Sequence, residues 1–520
     1  MKLLHRTWVI LLSIALCVTL LGTSISYAAK PASISIYLDG NKIDSDVPPY
    51  IIPKANITMV PLSVISKNLG AGVSWKQSTK TATITKTELV LNMTIGQKFA
   101  LVNGERVDLD ATVQAINGRV MVPLRFVSKQ MKLNVTWYQS AQTIKLQTLG
   151  GLSDNALKGA WVSTVYNLDW PSDKSYGNSE QQKQEYVQML DELQAMGMNT
   201  VFVQVRPAAD SFYPSKLVPW SKYLTGKQGQ QPDYDPLAFM IEETHRRGME
   251  FHAWFNPFRA NTGEKGIADF APNHVAVTHP EWIVQSGSKM YINPGIPAAR
   301  QHIIDVIMEV VDNYEIDGVH LDDYFYPSDG VFADDPTYLA YNEKNILDKA
   351  DWRRDNINQF VEQLGVAIHS AKPQVRFGIS PFGVWRNLSK DFSGSDTKAS
   401  VSAYDSMYAD VRTWIKQDWI DYVVPQIYWS MTLEIARYDK LVDWWANEVR
   451  GTNVDLYIGH APYKLGTPEI GWSKPEEIID QLKFNTNYFE VKGDLFFSAK
   501  DLRRNPLGLI PLLQSYYQVK

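Results

Sequence analysis

The chain has 520 residues, of which 45% are hydrophobic and 21% are charged, and its formal net charge is −5. This length favours more than one domain, and the near-neutral charge argues against a protein that binds nucleic acid or an anionic membrane through a basic surface. The aromatic fraction of 12%, with 16 Trp, is compatible with a packed core and also with a cleft in which sugar rings stack.

The N-terminus has the pattern of an export signal. A basic stretch, residues 2–6, precedes an apolar run, Trp8–Leu21, and a small-x-small cleavage site, Ser26–Ala28. This predicts a secretory signal peptide over residues 1–28, with an uncleaved N-terminal anchor as the alternative. Cys17, the only cysteine, follows a leucine rather than a small residue, so lipidation is not expected. We therefore expect a protein without a transmembrane anchor that is secreted or cell-wall associated.

An internal repeat fills residues 31–148. The segment TMVPLSVISKNLGAGVSWKQSTKTATI (58–84) aligns without gaps with VMVPLRFVSKQMKLNVTWYQSAQTIKL (120–146), at a constant offset of 62 residues. Each copy predicts a short strand, a helix that begins after a proline, and two strands around a tryptophan. Two such copies would stack and share one core, which predicts a small α+β domain. Residues 149–157 are predicted to be a linker.

This repeat domain resembles the copper amine oxidase N-terminal-like domain, which occurs on exported bacterial proteins. The resemblance implies a spacer or an attachment module, and contact with the cell wall through residues 31–148 is the partner that we expect. A packing domain without a partner is the alternative. Residues 31–148 contain neither His nor Cys, so the family name does not predict an imidazole or thiolate metal site here.

From residue 158 onward, short apolar runs alternate with amphipathic stretches, which is the rhythm of a parallel α/β sheet. The candidate strands are 159–167, 200–207, 250–257, 318–323, 376–383, 422–429, 455–462 and 493–499. Eight strands with intervening helices predict a (β/α)8 TIM barrel over residues 158–510. An open doubly wound sheet is the alternative, but no glycine-rich phosphate turn follows the first strand.

Polar residues concentrate where these strands end. Side chains alternate along a strand, and in strand after strand the set predicted to face the helices is apolar, whereas the interior set becomes polar. The predicted interior set is Phe202, Gln204, Arg206, His252, Trp254, Asn256, His320, Asp322, Gln426 and Tyr428, with Trp429 just beyond, and the seventh strand adds His460 and Tyr463. Barrel enzymes carry their active sites at this end, so convergence from several strands predicts a site.

Several chemistries lack their motifs. The sequence has no G-x-S-x-G elbow, no phosphate-binding loop, no dinucleotide fingerprint and no H-E-x-x-H pair, and we expect no cofactor. The remaining residue types, namely carboxylates, amides, His, Arg and aromatics, are those that glycoside hydrolysis uses. A metal site built from Asp322, His320 and His252 or His460 is conceivable, but no closely spaced ligand pair supports it, and no metal is expected.

Asp322 is the best-placed carboxylate, because it ends the fourth strand on the interior side. We assign it the role of nucleophile or base. Its neighbour Asp323 is expected to turn toward the rim, and the general acid is sought among Asp323, Asp405, Asp410 and Asp210. For Asp405 and Asp410, a turn former and a helix N-cap are the competing interpretations.

Eight segments, in order along the predicted barrel, carry a family resemblance. They are WVSTVYNLDWPS (161–172), FVQVRPAADSFYPS (202–215), HAWFNPFRAN (252–261), INPG (292–295), DGVHLDDYFYP (317–327), GISPFGVWRN (378–387), YADVRTWIKQDWIDYVVPQIYW (408–429) and IGHAPYKLG (458–466). They resemble the glycosyl hydrolase-like 10 family of exported bacterial proteins. The resemblance implies a barrel glycosidase that acts on bacterial cell-wall or envelope glycan, with peptidoglycan strands stripped of stem peptides as the favoured substrate.

The matched segments complete the predicted site. Substrate-binding roles are assigned to Gln204, Arg206, Asp210, His252, Trp254, Asn256, Arg259, Asn293, His320, Tyr324, Trp385, Gln426, Tyr428, Trp429 and His460. Two other classes of function remain open, a glycan-binding pseudoenzyme and a metal-dependent polysaccharide hydrolase or deacetylase. The paired aspartates at 322 and 323 favour the glycosidase over the pseudoenzyme.

Overall fold

The structure is a computed structural model that describes residues 34–518, with gaps at 39–40, 54, 56, 87–88, 132, 139–141, 149–155, 264–268, 323–324 and 329. The predicted signal peptide lies outside these residues. The chain divides between residues 149 and 150 into two compact units. Each unit has a hydrophobic core of its own.

The N-terminal unit consists of small sheets and two short helices. Its helices are Leu62–Asn68 and Leu124–Gln130. Its strands are Ser35–Leu38, Asn41–Ile43, Tyr50–Ile52, Ile57–Pro61, Gly72–Lys76, Thr81–Lys86, Leu89–Thr94, Phe99–Val102, Glu105–Asp108, Gln114–Ile116, Arg119–Pro123, Leu133–Tyr138 and Thr143–Thr148.

The predicted repeat is present in this unit. In each copy a strand runs into a helix directly after a proline, and two antiparallel strands around a tryptophan follow. The first strands of the two copies, Ile57–Pro61 and Arg119–Pro123, pair antiparallel with each other. Buried residues of both copies, among them Ile65 and Val127, belong to one core. The copies therefore share a core, as the alignment predicts.

The second unit is a closed barrel of eight parallel strands, which confirms the predicted fold. Barrel strands 1 to 8 are Leu157–Val162, Thr200–Arg206, Glu250–Phe255, Gly318–Leu321, Arg376–Ile379, Tyr422–Val423, Asp455–His460 and Val491–Phe496. All eight fall within or beside the segments chosen from the sequence. Because the strands are parallel, their carboxyl ends meet at one end of the barrel.

Helices follow the barrel strands and pack outside them. One main helix follows each strand in turn: Ser179–Ala195, Pro236–Arg246, Pro297–Asn313, Lys349–Ala371, Val411–Lys416, Tyr438–Val449, Glu476–Asn485 and Leu509–Tyr517. Further helices and helical turns lie in the connections: Val165–Asn167, Asp173–Ser175, Lys222–Thr225, Val275–Thr278, Pro280–Trp282, Asp335–Tyr341, Ala403–Ser406, Pro462–Lys464, Ala499–Arg503 and Pro506–Gly508. The hairpin of Ile283–Ser286 and Lys289–Ile292 also lies in a connection. None of the helices in the described part of the chain is long and apolar enough to cross a membrane.

Local signals fix the helix ends. The Asp235 side chain accepts a hydrogen bond from the Ala238 N–H at 3.1 Å, and Pro236 begins the helix. Gly197 follows the Ser179–Ala195 helix with φ +94°, a left-handed conformation that glycine adopts without strain. These ends determine where the chain leaves each helix to enter the next strand.

Large rings fill the inside of the barrel below its open end. Phe202, His252, His320 and Tyr422 are fully buried there, and the Phe202 and His252 ring centroids are 4.5 Å apart. Gly378, on barrel strand 5, faces the Tyr422 ring, which a Cβ at this position would overlap. The rings therefore depend on a neighbouring glycine for space, and they form a packed floor beneath the strand ends.

Candidate active site

Polar residues from four neighbouring strands meet at the carboxyl end of the barrel. Ser163 follows barrel strand 1, Gln204 lies near the end of strand 2, Asn256 follows strand 3 and Asp322 follows strand 4. These four residues are between 1% and 5% exposed. A carboxylate buried this deeply needs donors to replace water, so its hydrogen-bond partners decide what it can do.

Asp322 ends a directed series of hydrogen bonds. The Gln204 Oε1 atom accepts from the backbone N–H groups of Thr164 at 2.9 Å and Val165 at 2.8 Å. Gln204 Nε2 then donates to Asn256 Oδ1 at 2.5 Å. Asn256 Nδ2 donates in turn to Asp322 Oδ2. We call Gln204, Asn256 and Asp322 the inner network.

The backbone sets the direction of the inner network. Backbone N–H groups can only donate, so the Gln204 oxygen must face them and its NH2 group must face Asn256. The Asn256 amide is oriented in the same way, with its NH2 group toward Asp322. A donated N–H favours the ionised form of a carboxylate over the protonated form, and it also restrains the Asp322 rotamer. That state is the one a nucleophile or a general base requires.

The ring nitrogens of the floor have fixed roles. The Trp161 indole N–H donates to His320 Nε2 at 3.1 Å, so the other nitrogen carries the proton and faces the Tyr422 hydroxyl at 3.3 Å. His252 Nδ1 lies 3.0 Å from the same hydroxyl. Burial lowers the pKa of His252, and burial together with His252 lowers the pKa of His320 well below its usual range.

This placement corrects part of the predicted site. His252 and His320 are on the interior face, as expected, but they are neutral, fully buried and bonded to other rings. Trp254 is 6% exposed and packs with Trp161 and Phe202. The two histidines therefore belong to the packed floor, and Trp254 lies beside them, two residues before Asn256 in the chain.

Residues after strands 6, 7 and 8 form a half-exposed aromatic rim. The Tyr428 ring lies 6.1 Å from Tyr463 and 6.3 Å from Phe497, and Tyr463 lies 6.2 Å from Phe497. Trp429 packs edge-on against Phe382 at 5.4 Å. Exposed rings at the carboxyl end of the barrel offer flat faces on which sugar rings can stack.

Gln426 belongs to the same end of the barrel. It is half-buried, and its Nε2 donates to the Ser380 carbonyl at 3.1 Å. Its backbone also bridges to Phe382, which follows strand 5, and to Gly459 on strand 7. The structure therefore brings Gln426, Tyr428 and Trp429 together on the rim, as the strand pattern predicts.

Arg206 does not face the inside of the barrel, contrary to the prediction. Phe202 and Gln204 pair with His252 and Trp254, but a register shift follows, and Arg206 pairs with Phe255, which is part of the outer core. This bulge reverses the face that Arg206 presents. The guanidinium is fully buried, and burial lowers its pKa to about 10.

The position of Arg206 still matters for the inner network. Its Nη1 atom donates to the Asn256 carbonyl at 2.5 Å and to the Pro257 carbonyl at 3.0 Å. Asn256 is the residue whose side chain donates to Asp322. Arg206 thus fixes the backbone that carries the donor, and it acts as a positioning residue rather than as a sugar ligand.

Asp210 lies beside a polar cavity of about 800 Å³ that the connections after strands 2 and 3 build. The carboxyl accepts the Ala208 N–H at 3.0 Å and is 2% exposed. Burial raises the pKa of Asp210 to about 6, although Ser221 and Ala208 hydrogen bonds oppose this rise. A carboxyl that keeps its proton to this pH has the character of a general acid.

His460 faces the helices, and its predicted substrate contact is wrong. Leu456, Ile458 and His460 alternate with Tyr457 and Gly459 along strand 7. Leu456 and Ile458 belong to the outer core, whereas Tyr457 belongs to the interior cluster. His460 shares the outward face and is fully buried there.

Partners on neighbouring elements hold His460 in place. His460 Nε2 lies 2.8 Å from Asp494 Oδ1, and its Nδ1 lies 2.9 Å from Gln481 Oε1. Asn485 Nδ2 also donates to Asp494, at 2.7 Å. We call His460, Asp494, Gln481 and Asn485 the outer network; it ties barrel strands 7 and 8 to the helix Glu476–Asn485.

Two predicted sugar ligands have structural partners instead. Trp385 is 4% exposed, stacks on Trp444 at 5.6 Å and lies under the Arg412 guanidinium. Asn293 is buried, accepts the Gly295 N–H at 2.9 Å and donates to the Thr337 hydroxyl at 2.8 Å. Both predictions came from the family motifs, which also contain residues that hold connections in shape.

Arg259 is half-buried and braces the connection after strand 3. Its Nη1 atom lies 3.4 Å from the Pro207 carbonyl, and its backbone bridges to Tyr291 on the hairpin. These contacts join the connections after strands 2 and 3. Arg259 therefore lies at the carboxyl end of the barrel, in the part that also builds the cavity beside Asp210.

The other candidate acids differ from Asp210. Asp405 accepts both arms of the Arg386 guanidinium, at 2.8 and 2.9 Å, and lies partly exposed. Asp410 precedes the helix Val411–Lys416 and accepts the Thr413 hydroxyl at 2.7 Å. Both fit the structural alternatives weighed from the sequence. Asp323 and Tyr324 lie outside the described residues.

Sequence reasoning missed the residues that organise the site from strands 1 and 8. Asp169, after strand 1, accepts the Ser163 N–H at 2.7 Å, the Ser498 hydroxyl at 2.7 Å and the Lys500 N–H at 2.6 Å. Burial raises its pKa to about 6. These bonds connect the segments after strands 1 and 8. Phe497 could have been found, because it continues the interior alternation of strand 8.

The described residues contain no group of three or more His, Cys, Asp or Glu side chains that could hold a metal ion.

Comparison with known proteins identifies two family segments in the chain. The model of the family described as Glycosyl hydrolase-like 10 matches residues 156–475, which is more than half of the chain. The model of the Copper amine oxidase N-terminal domain matches residues 37–146. These two matches cover the barrel up to strand 7 and the repeat unit before it.

Named relatives agree with the first match. Glycosyl hydrolase YngK of Bacillus subtilis (strain 168) is 52% identical over 361 residues, covering 69% of this chain and 71% of the relative. Glycosyl hydrolase DigH of Escherichia coli (strain K12) is 42% identical over 374 residues, covering 68% of this chain and 85% of the relative. Among solved structures, the PgaB (BpsB) glycoside hydrolase domain from Bordetella bronchiseptica aligns with a TM-score of 0.48 at 12% identity, covering 70% of this chain and 99% of that one. The chain belongs to the glycosyl hydrolase-like 10 family, as a glycosidase whose barrel follows a copper amine oxidase N-terminal domain.

Proposed function

We propose that this glycosidase cleaves the glycan strands of the bacterial cell wall, in the form of peptidoglycan freed of its stem peptides. We assign Asp322 as the nucleophile or the general base. The observation that carries this assignment is the inner network, in which backbone N–H groups orient Gln204, Gln204 orients Asn256, and Asn256 donates to Asp322 at the open end of the barrel.

Glycoside hydrolysis divides the work between two carboxyl groups. Asp322 attacks the anomeric carbon in a retaining reaction, or takes a proton from the attacking water in an inverting one. The second group protonates the oxygen of the leaving sugar. Of the acids predicted from the sequence, Asp210 is the described one with the fitting character, because burial raises its pKa to about 6. Asp323 is the competing assignment, from its position beside Asp322 in the chain.

Leaving-group chemistry separates these two acids. A variant that lacks the general acid loses turnover on a natural glycan but keeps much of it on an aryl glycoside whose leaving group needs no proton. We expect this selective loss from Asp210→Asn, with Asp323→Asn as the paired comparison. If Asp323→Asn alone shows the selective loss, the acid is Asp323.

Three observations support a polysaccharide as the substrate. The rim rings of Tyr428, Tyr463 and Phe497 lie beside one another and are partly exposed, which suits stacking on several sugar units. The chain belongs to a glycosyl hydrolase family. The motifs across the barrel resemble exported proteins that act on the wall, and we propose that this protein also works outside the cytoplasm.

The proposed reaction is tested by mass spectrometry of the products from purified protein. The probes are peptide-free wall glycan, intact peptidoglycan and chitin oligomers, with Asp322→Asn as the inactive control. We expect saccharide fragments with new reducing ends from the peptide-free glycan, and fewer from intact peptidoglycan. Fragments from chitin alone would refute the wall substrate.

The same assay separates the two rival classes of function. A deacetylase releases acetate without new reducing ends, and a metal-dependent hydrolase loses activity when a chelator is added. A binding protein retains the glycan and releases no product. Each of these outcomes contradicts carboxylate catalysis at Asp322, because that mechanism cleaves the chain and needs no metal.

A further inference from the structure

Two grooves lie at equivalent positions of the internal repeat in the N-terminal unit. The first-copy groove, of about 330 Å³, is lined by Leu62, Val73, Trp75 and Ala82. The second-copy groove, of about 840 Å³, is lined by Leu124, Val135, Trp137 and Ile144. Every residue of the second set lies 62 positions after its counterpart in the first set, which is the offset of the repeat.

Each groove is also completed by the opposite copy. Arg119 and Val120, which begin the second copy, line the first-copy groove. Ile57 and Thr58, the equivalent residues of the first copy, line the second-copy groove. The two grooves are thus related by the same pseudo-symmetry that pairs the strands Ile57–Pro61 and Arg119–Pro123.

Apolar side chains are exposed along both grooves. Trp75 is 44% exposed and Val73 is 41% exposed, on a strand that forms the edge of its sheet. Val135, on the equivalent edge strand, is 36% exposed. The Trp75 indole N–H donates to Gln77 Oε1 at 2.6 Å, which holds the exposed ring in one orientation. Its counterpart Trp137 is half-buried and packs against the core of the unit. Tryptophan rings at equivalent positions of both grooves, each at least partly exposed, have the character of a binding platform.

The charge of the N-terminal unit differs in sign from that of the barrel. Residues 34–148 contain 13 Lys and Arg against 7 Asp and Glu, for a net charge of +6, whereas residues 149–520 contain 35 against 49, for a net charge of −14. Lys98 and Arg125 are exposed and line the second-copy groove together with Asp110. Arg119, in the first-copy groove, pairs with Asp46 at 2.6 Å. The excess positive charge favours an anionic ligand.

We propose that the two grooves are paired binding sites for an anionic polysaccharide, and that they hold the enzyme on the wall glycan. Tryptophan faces stack on sugar rings, and the surrounding cations attract the carboxylate groups of the polymer. Two equivalent sites fit a ligand made of repeating units, because the second contact forms at high effective concentration. The proposal concerns binding alone and holds whether or not the barrel cleaves the same polymer.

Co-sedimentation of the full chain with insoluble glycan tests the proposal. The probe is wall material freed of stem peptides, which keeps its carboxylates, and incubations at 4 °C limit cleavage. Trp75→Ala and Trp137→Ala are each expected to weaken binding roughly tenfold. The double variant is expected to lose more than either single variant, since it removes the paired contact. Trp75→Phe should retain most of the binding, because it keeps a ring.

Two controls keep the result interpretable. Phe392→Ala removes a ring that is 94% exposed on the barrel unit, and it should bind as the unmodified chain does. Thermal unfolding of each Trp variant shows whether the N-terminal unit is still folded. Turnover on a soluble oligosaccharide, measured in parallel, should be unchanged in all of them.

Charge is tested with Lys98→Gln combined with Arg125→Gln, and with chitin as an uncharged probe. We expect the charge variant to bind wall glycan several-fold more weakly, and we expect chitin to bind more weakly than wall glycan at low salt. If the folded double Trp variant sediments as the unmodified chain does, the grooves are not the binding sites. If chitin binds as tightly as wall glycan, the anionic ligand is wrong.

Discussion

Two of the buried carboxylates in the barrel, one directly after strand 4 and one within strand 8, face opposite ways. Asp322 lies in the inner network, at the open end of the barrel and 5% exposed. Asp494 lies in the outer network, fully buried between strand 8 and the helix layer. Both accept side-chain amide donors, and a His lies near each along its own or the neighbouring strand. The face of the strand, rather than the residue type, decides which carboxylate can reach a substrate.

The difference has a physical basis. Asp322 lies at the carboxyl end of the barrel and receives a donor from a series that begins at backbone N–H groups, which favours the ionised carboxylate. Asp494 is held by His460 and Asn485 and joins strand and helix. The inner network is therefore expected to serve turnover, and the outer network to serve stability.

The largest expected effect is on turnover in Asp322→Asn. The amide keeps the size of the side chain but can neither attack the anomeric carbon nor accept a proton. We expect kcat on peptide-free glycan to fall by roughly a thousandfold or more, with the unfolding free energy little changed. Asp405→Asn is the matched control. It removes a carboxylate that pairs with Arg386 at the surface, so its turnover should match that of the unmodified enzyme.

Asp494→Asn should show the opposite behaviour. The amide keeps an oxygen that can accept from His460 and Asn485 but removes the charge that strengthens both bonds, and we expect the unfolding free energy to fall by roughly 1–3 kcal/mol. Urea denaturation measures this loss. Turnover per folded molecule should stay close to that of the unmodified enzyme. A folded Asp494→Asn protein with a thousandfold loss of kcat would contradict the division between the two networks.

The pH dependence of stability tests a further buried carboxyl, Asp210. Its folded pKa of about 6 lies above the value of about 3.9 for an unfolded chain, so the folded state holds the proton between these values. The stabilisation that the folded state gains from protonated Asp210 is fully present below about pH 4 and is lost as the pH rises through 6. We expect Asp210 to lower the unfolding free energy by roughly 2–3 kcal/mol across this window.

Asp210→Asn provides the measurement. Urea denaturation between pH 4 and 7 should show a flatter profile for the variant than for the unmodified enzyme. Part of the slope should remain, because burial also raises the pKa of Asp169 to about 6. Identical profiles would show that Asp210 is ionised throughout, and it would then lose its assignment as the general acid.

The smallest expected effect concerns the aromatic rim. Trp429→Ala should weaken glycan binding by roughly 1–3 kcal/mol, by analogy with the stacking of bases on aromatic side chains, while the protein keeps its melting temperature. Trp385→Ala is the contrasting variant, because Trp385 is buried against Trp444 and should lose stability rather than affinity. Equal losses of affinity in both would remove the distinction between rim and core.

The sequence predicted the barrel because each strand is apolar and is separated from the next by a helical stretch. Side-chain alternation also placed Gln204, Asn256, Asp322 and Gln426 correctly. It failed at Arg206 because a bulge, which no periodicity reveals, shifts the register after Gln204. For His460 the alternation itself indicates the outward face, because His460 shares that face with the apolar residues Leu456 and Ile458.

Loop residues were harder to place. Trp385 and Asp405 lie in long connections, where alternation gives no information, and their partners Trp444 and Arg386 are distant or irregularly spaced in the chain. The donors that organise Gln204 are backbone N–H groups of Thr164 and Val165, which no residue type indicates. Sequence patterns therefore located the site but not the way in which its amides are fixed.

A double-mutant cycle on Asn256 and Asp322 tests the central claim most directly. If Asn256 acts by donating to the Asp322 carboxylate, Asn256→Ala should lower kcat on peptide-free glycan by roughly a hundredfold in the unmodified enzyme. In the Asp322→Asn background the same change should cost little, because the carboxylate that it serves is absent. If Asn256→Ala lowers kcat by the same factor in both backgrounds, the two residues act independently, and the inner network is not the catalytic centre. Unmodified turnover in Asp322→Asn would contradict it as well.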